Sequence, residues 1–210
     1  MTDIQAVQSY LAQVQSRRKV MIWCISLCFA PVILFTAATF KLGSWQRDLV
    51  EGAGSILLFV AILGRAWCTL YIGGRKTVVL VNSGPYSITR NPLYFFSFVA
   101  AAGLGAQTGS ISIAIFMALL GYVIFLPVVF REEAALSSAH GQSYDAYRRA
   151  VPRFLPRPAL WRDIDSVAVD PRILRRTIAD GMIFVLLALL VRALMYWKQS
   201  LPDLPQVILY

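Results

Sequence analysis

Two polar stretches of the chain hold the residue types that could do chemistry. Residues 81–94 read Val-Asn-Ser-Gly-Pro-Tyr-Ser-Ile-Thr-Arg-Asn-Pro-Leu-Tyr. Ser83, Gly84 and Pro85 read as a turn. Asn91 followed by Pro92 reads as a helix N-cap with proline at the first helical position. Such a helix start offers backbone N–H groups to an anion, and the faces of Tyr86 and Tyr94 suit a cation. The second stretch begins Arg131-Glu132-Glu133, passes His140-Gly141, Tyr144 and Tyr147, and ends Val151-Pro152-Arg153-Phe154-Leu155-Pro156. Tyr144, Tyr147 and Val151 recur at i, i+3 and i+7, one face of a short helix. Glu132 and Glu133 can accept hydrogen bonds from hydroxyl or amino groups, or take a proton. Each stretch also has a plainer reading: a cap with an interfacial aromatic pair, and a solvated rim with an amphipathic surface helix.

Other chemistries find little support. With one histidine no metal cluster is expected, and His140 reads as a surface residue. Gly52-Ala-Gly54 lacks the third glycine and the preceding strand of a dinucleotide fingerprint. Cys24, Cys28 and Cys68 read as small buried hydrophobes rather than a disulfide framework. No serine–histidine or cysteine–histidine nucleophile stands out.

The elements that must position these stretches are membrane helices. Of 210 residues 58% are hydrophobic and only 15% charged, and the mean hydropathy is +0.62. Soluble domains run nearer 45–50% apolar and about 25% charged. A bilayer core takes about 20 apolar residues per helix, which predicts five spans, near residues 20–40, 52–72, 93–107, 111–130 and 178–197. The fold class expected is therefore an all-α polytopic bundle, one integral-membrane domain over residues 1–210. The small residues Ala100, Ala101, Ala102, Gly103 and Gly105 allow a close hairpin between the third and fourth spans. With the N-terminus cytoplasmic and the C-terminus outside, fifteen of the twenty Lys and Arg fall on inner segments and three on outer ones, as the positive-inside rule requires. The net charge of +9 then reflects orientation and attraction to anionic inner-leaflet headgroups, not nucleic acid. Arg65 sits within the second span, where a charge is costly and a functional or paired interior role is the default. Arg192, near the outer end of the last span, is expected to snorkel. No cleavable signal peptide is expected ahead of residues 20–40.

Taken together, the two stretches resemble the isoprenylcysteine carboxyl methyltransferase and phospholipid methyltransferase superfamily. The likeness lies in Gly-Pro-Tyr, four residues, Asn-Pro-Leu-Tyr, then Glu-Glu-x-x-Leu-x-x-x-His-Gly-x-x-Tyr-x-x-Tyr-x-x-x-Val-Pro. It covers about residues 78–156. The resemblance implies an S-adenosylmethionine-dependent membrane methyltransferase whose non-Rossmann cofactor pocket is built from cytoplasmic loops. Its acceptor would be a membrane lipid or lipid-modified substrate entering from the bilayer. It further implies cofactor contacts at Val78, Val79, Leu80 and Val81 before the turn, at Tyr86, at Asn91, Pro92, Leu93 and Tyr94, and at Glu132. Asn91 stands where the family has histidine, and His140 where it has phenylalanine. A substrate-binding arginine of the prenylcysteine enzymes falls on Val128, which argues against assuming a prenylcysteine carboxylate. Glu133 is the nearest candidate base if the acceptor is an ammonium, and Arg65 could hold an acidic headgroup or carboxylate. Two other classes compete: an NADPH-dependent membrane reductase of the sterol-reductase type, and a non-catalytic lipid-binding membrane protein.

Overall fold

A computed structural model describes residues 43–73 and 79–198, with residues 40 and 41 and the backbone of two three-residue strands. These strands, β1 (Thr36–Ala38) and β2 (Val207–Leu209), pair in parallel with Thr36 opposite Val207. The rest is helical: α1 (Trp45–Ile72), α2 (Pro85–Ile88), α3 (Pro92–Ala106), α4 (Ile111–His140), α5 (Gln142–Ala150), a 3-10 turn at Pro158–Leu160, and α6 (Pro171–Lys198).

Three of these helices are long and apolar enough to cross a membrane: α1, α4 and α6. The expectation of five spans is met to that extent. The first expected span, 20–40, lies outside the described residues except at its end. There the expected helix is corrected, because residues 36–38 are a strand. The third span is a 15-residue helix, α3. At 1.5 Å per residue it is only about 22 Å long, short of the roughly 30 Å hydrocarbon core. The turn after it, Gln107–Ser110, is wholly buried, as irregular backbone at membrane depth must be.

Helix ends differ from the apolar windows for physical reasons. α1 starts at Trp45, before the window at 52, because Arg47 and Glu51 pair at i, i+4 (Arg47 Nε to Glu51 Oε1, 2.7 Å) and carry the polar first turns. α4 runs ten residues past the window, so Glu132 and Glu133 stand on the helix itself. α6 begins at Pro171, where the Asp170 carboxylate accepts from Arg172 N–H at 2.8 Å, the N-cap its sequence announces. α5 ends at Ala150, and the prolines at 152, 156 and 158 prevent its continuation.

By contacts the chain divides into two compact units. One comprises Met1–Val20, Leu63–Phe96 and Val123–Ile178; the other comprises Met21–Ile62, Ser97–Tyr122 and Ala179–Tyr210. In the second, Leu58, Ala61, Ala100 and Ala188 form the core, with Val99, Leu104 and Phe184 packed on it. Small residues set the approach. A Cβ on Gly103 would lie 2.8 Å from the Gly54 carbonyl, and one on Gly105 would lie 2.8 Å from Ala114 Cα. Arg192 does not simply snorkel: its Nε lies 3.2 Å from Glu51 Oε2.

In the first unit, Cys68, Ile72 and Tyr86 pack with Tyr71, Val81, Leu93 and Phe96. Tyr144, Tyr147 and Val151 pack with Leu80 and Leu136, the i, i+3, i+7 face read from sequence. Gly84 holds φ +56° beneath the Tyr71 ring, which any Cβ would strike. Only glycine permits that turn into α2.

Candidate active site

The first unit contains a cleft between the α2–α3 junction, the final turns of α4, and α5. Its empty space comes to about 540 Å³ with the open solvent at its mouth counted in. Eight of the expected residues line it: Leu80, Val81, Tyr86, Asn91, Pro92, Leu93, Tyr94 and Glu132. Ile72, Arg90, Leu136, Tyr144 and Tyr147 complete the wall. Val78 lies outside the described residues, and Val79 is exposed and away from the lining. Arg65 and Glu133 do not line the cleft either.

Two elements distant in sequence meet here. The Tyr94 hydroxyl donates to Glu132 Oε1 at 3.0 Å, and both residues are buried. The Tyr147 hydroxyl donates to the Tyr86 carbonyl at 2.7 Å, fastening α5 to α2. The hydroxyls of Tyr86 and Tyr144 are enclosed and have no hydrogen-bond partner among the described residues, while both residues line the cleft. A buried unpaired hydroxyl costs roughly 1–3 kcal/mol. Burial pushes both phenols up, Tyr144 to about 12 with help from the nearby Glu133 charge. Both therefore remain proton donors near neutral pH.

Glu133, one residue from Glu132, is fully engaged. Its Oε1 accepts from Asn91 Nδ2 at 2.9 Å and from Arg90 Nε at 3.2 Å. Its Oε2 lies 2.9 Å from Arg153 Nη2. Arg90 Nη1 also donates to the Arg148 carbonyl at 2.7 Å. This clasp joins α4 to the start of α3 and to the segment after α5. Neither Arg90 nor Arg153 was singled out from the sequence for this role. The signal available was two arginines next to the Asn-Pro and Val-Pro motifs.

The Asn91 amide Nδ2 donates to Glu133, while its carbonyl accepts from Tyr94 and Phe95 N–H, both at 3.1 Å, and so opens α3. Arg65 lies in α1, where its carbonyl accepts from Thr69 at 2.8 Å. His140 is half-buried at the end of α4 rather than on open surface. Cys68 is fully buried, as its apolar reading anticipates. Among the described residues no group of three His, Cys, Asp or Glu could hold a metal ion.

Comparison with known proteins now gives this geometry a family. The phospholipid methyltransferase family model matches residues 53–143, which run from within α1 to the start of α5 and take in the first motif and the Glu132–Gly141 part of the second. The chain is 35% identical over 188 residues to the nickel-cobalt-cadmium resistance protein NccN of Alcaligenes xylosoxydans xylosoxydans, covering 90% of this chain and 88% of that protein. It is 33% identical over 178 residues to the cobalt-zinc-cadmium resistance protein CzcN of Cupriavidus metallidurans, covering 85% and 82%. A shorter likeness, 33% over 81 residues, reaches the protein-S-isoprenylcysteine O-methyltransferase of Schizosaccharomyces pombe, covering 39% of this chain and 34% of that one. No solved structure matches. The chain belongs to the isoprenylcysteine carboxyl methyltransferase and phospholipid methyltransferase superfamily. It is a multi-pass membrane protein of methyltransferase type.

Proposed function

We propose that this protein transfers the methyl group of S-adenosylmethionine to a lipidic acceptor drawn from the bilayer. The observation that carries the reading is the cleft wall. Tyr86 and Tyr144, whose buried hydroxyls bond nothing among the described residues, line the same cleft as a buried carboxylate, Glu132, held by Tyr94. These groups match the cofactor's mixed chemistry. Hydroxyl donors suit its carboxylate and ring nitrogens, a carboxylate suits its ribose hydroxyls or amino group, and tyrosine faces suit its sulfonium.

When bound, S-adenosylmethionine supplies an electrophilic methyl on a positively charged sulfur. The protein's own part is placement. Tyr86 and Tyr144 donate to the bound molecule, and Glu132 accepts from it in an orientation fixed by Tyr94. Ile72, Leu80, Val81, Leu93 and Leu136 exclude water from the apolar side. Direct displacement needs no covalent enzyme intermediate, so alignment of donor and acceptor supplies much of the acceleration. Glu133, with each oxygen held by a guanidinium, serves in this reading to hold the cleft's walls together rather than to take a proton. Arg65 is left as the candidate for a headgroup or carboxylate of the acceptor.

The orientation that fits is N-terminus cytoplasmic, which places the arginine-rich segments and the cleft where the cofactor is dissolved. The metal-resistance names of the relatives accord with a role in modifying the membrane or its lipids. The described residues offer no cluster for ligating the metal itself.

The test uses membranes containing the protein and methyl-labelled S-adenosylmethionine, with mass spectrometry of the labelled species. A labelled lipid or lipid-modified product is expected. In detergent, S-adenosylhomocysteine should raise the melting temperature. Stabilisation by NADPH in its place would transfer the protein to the reductase class, and stabilisation by neither would make it non-catalytic.

A further inference from the structure

The segment between α5 and α6 carries a surface that the cleft does not use. Residues 158–170 are tied to the final turns of α1, a helix that crosses the membrane. The Trp161 ring stacks on Trp67 with centroids 5.5 Å apart and 26° between planes. The Tyr71 hydroxyl donates to Asp163 Oδ1 at 2.8 Å. A Cβ on Gly73 would lie 2.8 Å from the Ala168 carbonyl, so only glycine admits that contact. Trp67 and Tyr71 stand at the end of an apolar span, the level at which interfacial aromatic residues gather. The stacked Trp161 is thereby held at that level too.

What this segment exposes is a mixture of two kinds. Leu155, Trp161, Ile164 and Val169 are large apolar side chains between 41% and 78% exposed. Arg157 and Arg162 of the segment, and Arg172, Arg175 and Arg176 on the first turns of α6, are all exposed. Among the described residues, none of their guanidinium groups makes an ion pair. Three aspartates lie on the same stretch, Asp163, Asp165 and Asp170, and among the described residues none forms an ion pair with these arginines; Asp163 accepts from Tyr71 and the Ile164 N–H, and Asp170 from the Arg172 N–H. Five arginines against three aspartates leave residues 155–176 net positive. Exposed apolar groups flanked by unpaired arginines, at the rim of a membrane span, match one surface in charge and polarity: the headgroup and upper acyl layer of an anionic leaflet.

We infer that residues 155–176 form a docking strap for anionic lipid, with Trp161 and its apolar neighbours in the upper acyl layer and the arginines on lipid phosphates. The strap is not isolated from the rest of the unit. Gly84 N–H donates to the Arg162 carbonyl at 2.7 Å, and Arg162 N–H donates to Ser87 Oγ at 3.0 Å. One bond ends on Gly84, the N-cap of α2, and the other on Ser87 within it, the helix that carries Tyr86.

The experiment places the full chain in nanodiscs containing a small fraction of chain-brominated lipid, either phosphatidylglycerol or phosphatidylcholine. The readout is quenching of Trp161 emission, taken as the difference between the parent protein and Trp161→Phe, since the chain has five tryptophans. Phenylalanine keeps a ring on Trp67. Brominated phosphatidylglycerol should quench Trp161 severalfold more efficiently than brominated phosphatidylcholine at the same fraction. Each arginine neutralised should weaken that preference by up to about fivefold, so an Arg157→Gln/Arg162→Gln/Arg172→Gln variant should respond equally to both lipids. These arginines are exposed and unpaired, so their replacement leaves the folded yield intact. Absence of quenching by either lipid would overturn the docking, because the strap would then lie clear of the bilayer. Equal quenching by both in the parent protein would overturn the anionic preference. Neither outcome depends on the cofactor reading.

Discussion

Two regions of this molecule bury a glutamate between arginines, and only one of them adjoins a place for chemistry. Glu133 receives Arg90, Arg153 and Asn91. Glu51, in the other unit, receives Arg47 at 2.7 Å and Arg192 at 3.2 Å. The ingredients are nearly identical. Around Glu51 the space is filled: Gln107, fully buried, donates to the Glu51 carbonyl at 3.2 Å, and Gly109 lies directly against the Arg47 side chain. No residue of that cluster lines the cleft. Beside Glu133, the next residue back along α4 is Glu132, turned toward Tyr94 and the cleft. A buried charge by itself therefore marks a brace. Both clusters hold buried polar atoms without a hydrogen-bond partner among the described residues (Arg47 Nη2 in one, the Tyr86 and Tyr144 hydroxyls in the other), so what marks the site is a buried charge beside open volume.

The comparison can be broken most directly at the two braces. Glu133→Ala leaves two guanidinium groups and an amide without their acceptor. Removing one member of a buried ion pair costs about 3–5 kcal/mol, toward the lower end here because Arg153 is a third exposed. Glu51→Ala should cost a similar amount. The expected distinction lies in function. Glu133→Ala should also weaken S-adenosylhomocysteine binding, because it releases the start of α3, whereas folded Glu51→Ala protein should bind normally. Detergent melting curves and calorimetry on the same samples measure both. Normal affinity in Glu133→Ala, or impaired affinity in Glu51→Ala, would erase the difference between the regions.

A second expected effect is large in activity and small in stability. Glu132→Ala should lower methyl transfer by about a hundredfold or more, on the scale of a lost positioning contact, and should abolish S-adenosylhomocysteine binding with the folded yield largely kept. Retained affinity would remove Glu132 from the cofactor's contacts and leave Glu132 and Glu133 with the same structural task.

How far the sequence reached follows the same division. Apolar runs made α1, α4 and α6 legible, because a membrane span is a property of composition along one segment. The Asn-Pro and Asp-Pro signals marked the starts of α3 and α6, because proline's fixed φ and missing N–H act locally. The tyrosine face of α5 was visible as a period. Three things were hidden. The Arg192–Glu51 pair joins positions 141 residues apart and shows no local pattern. The Asn91 amide's bond to Glu133 joins positions 42 residues apart and has no local pattern either. The expected span closes at residue 130, whereas the helix carries on to His140, because Glu132 and Glu133 close the apolar window without closing the helix. Eight of the ten expected cofactor residues nevertheless line one cleft. The motif pair carried that knowledge, since neither spacing nor period could bring Tyr86 and Glu132 together.

A smaller effect sharpens the meaning of the partnerless hydroxyls. Tyr86→Phe removes a buried oxygen that bonds nothing among the described residues, so the melting temperature should hold or rise, by up to about 1 kcal/mol of stability. If that oxygen donates to the cofactor, S-adenosylhomocysteine affinity should fall about five- to tenfold at the same time. Gain in stability with loss of affinity is the signature of a site, and a brace cannot produce it. The pH profile gives a companion check. The folded state holds the Tyr144 proton up to about pH 12, above the ordinary phenol value of 10.0. Affinity should thus stay flat from about pH 7 to 9. The stability supplied by that proton is complete below pH 10 and disappears as pH rises from there toward 12. An affinity that collapses near pH 8 would mean that another group makes the contact.

The smallest expected effect concerns the strap and joins the two readings of the first unit. Arg162 is bonded through its backbone to Gly84 and Ser87 on α2, so lipid held by the strap's arginines steadies the helix that presents Tyr86. Conformational selection sets the size. If α2 is competent only part of the time without anionic lipid, the apparent affinity is reduced by that fraction, about two- to threefold for a helix ordered a third to half of the time. S-adenosylhomocysteine should therefore bind about two- to threefold more tightly in nanodiscs containing phosphatidylglycerol than in phosphatidylcholine alone, and the arginine-to-glutamine variant should lose the increment. Glu51→Ala should keep it. An increment that survives arginine replacement would assign the lipid effect to the bilayer as a whole, and one lost in Glu51→Ala would show that the second unit also feeds the cleft.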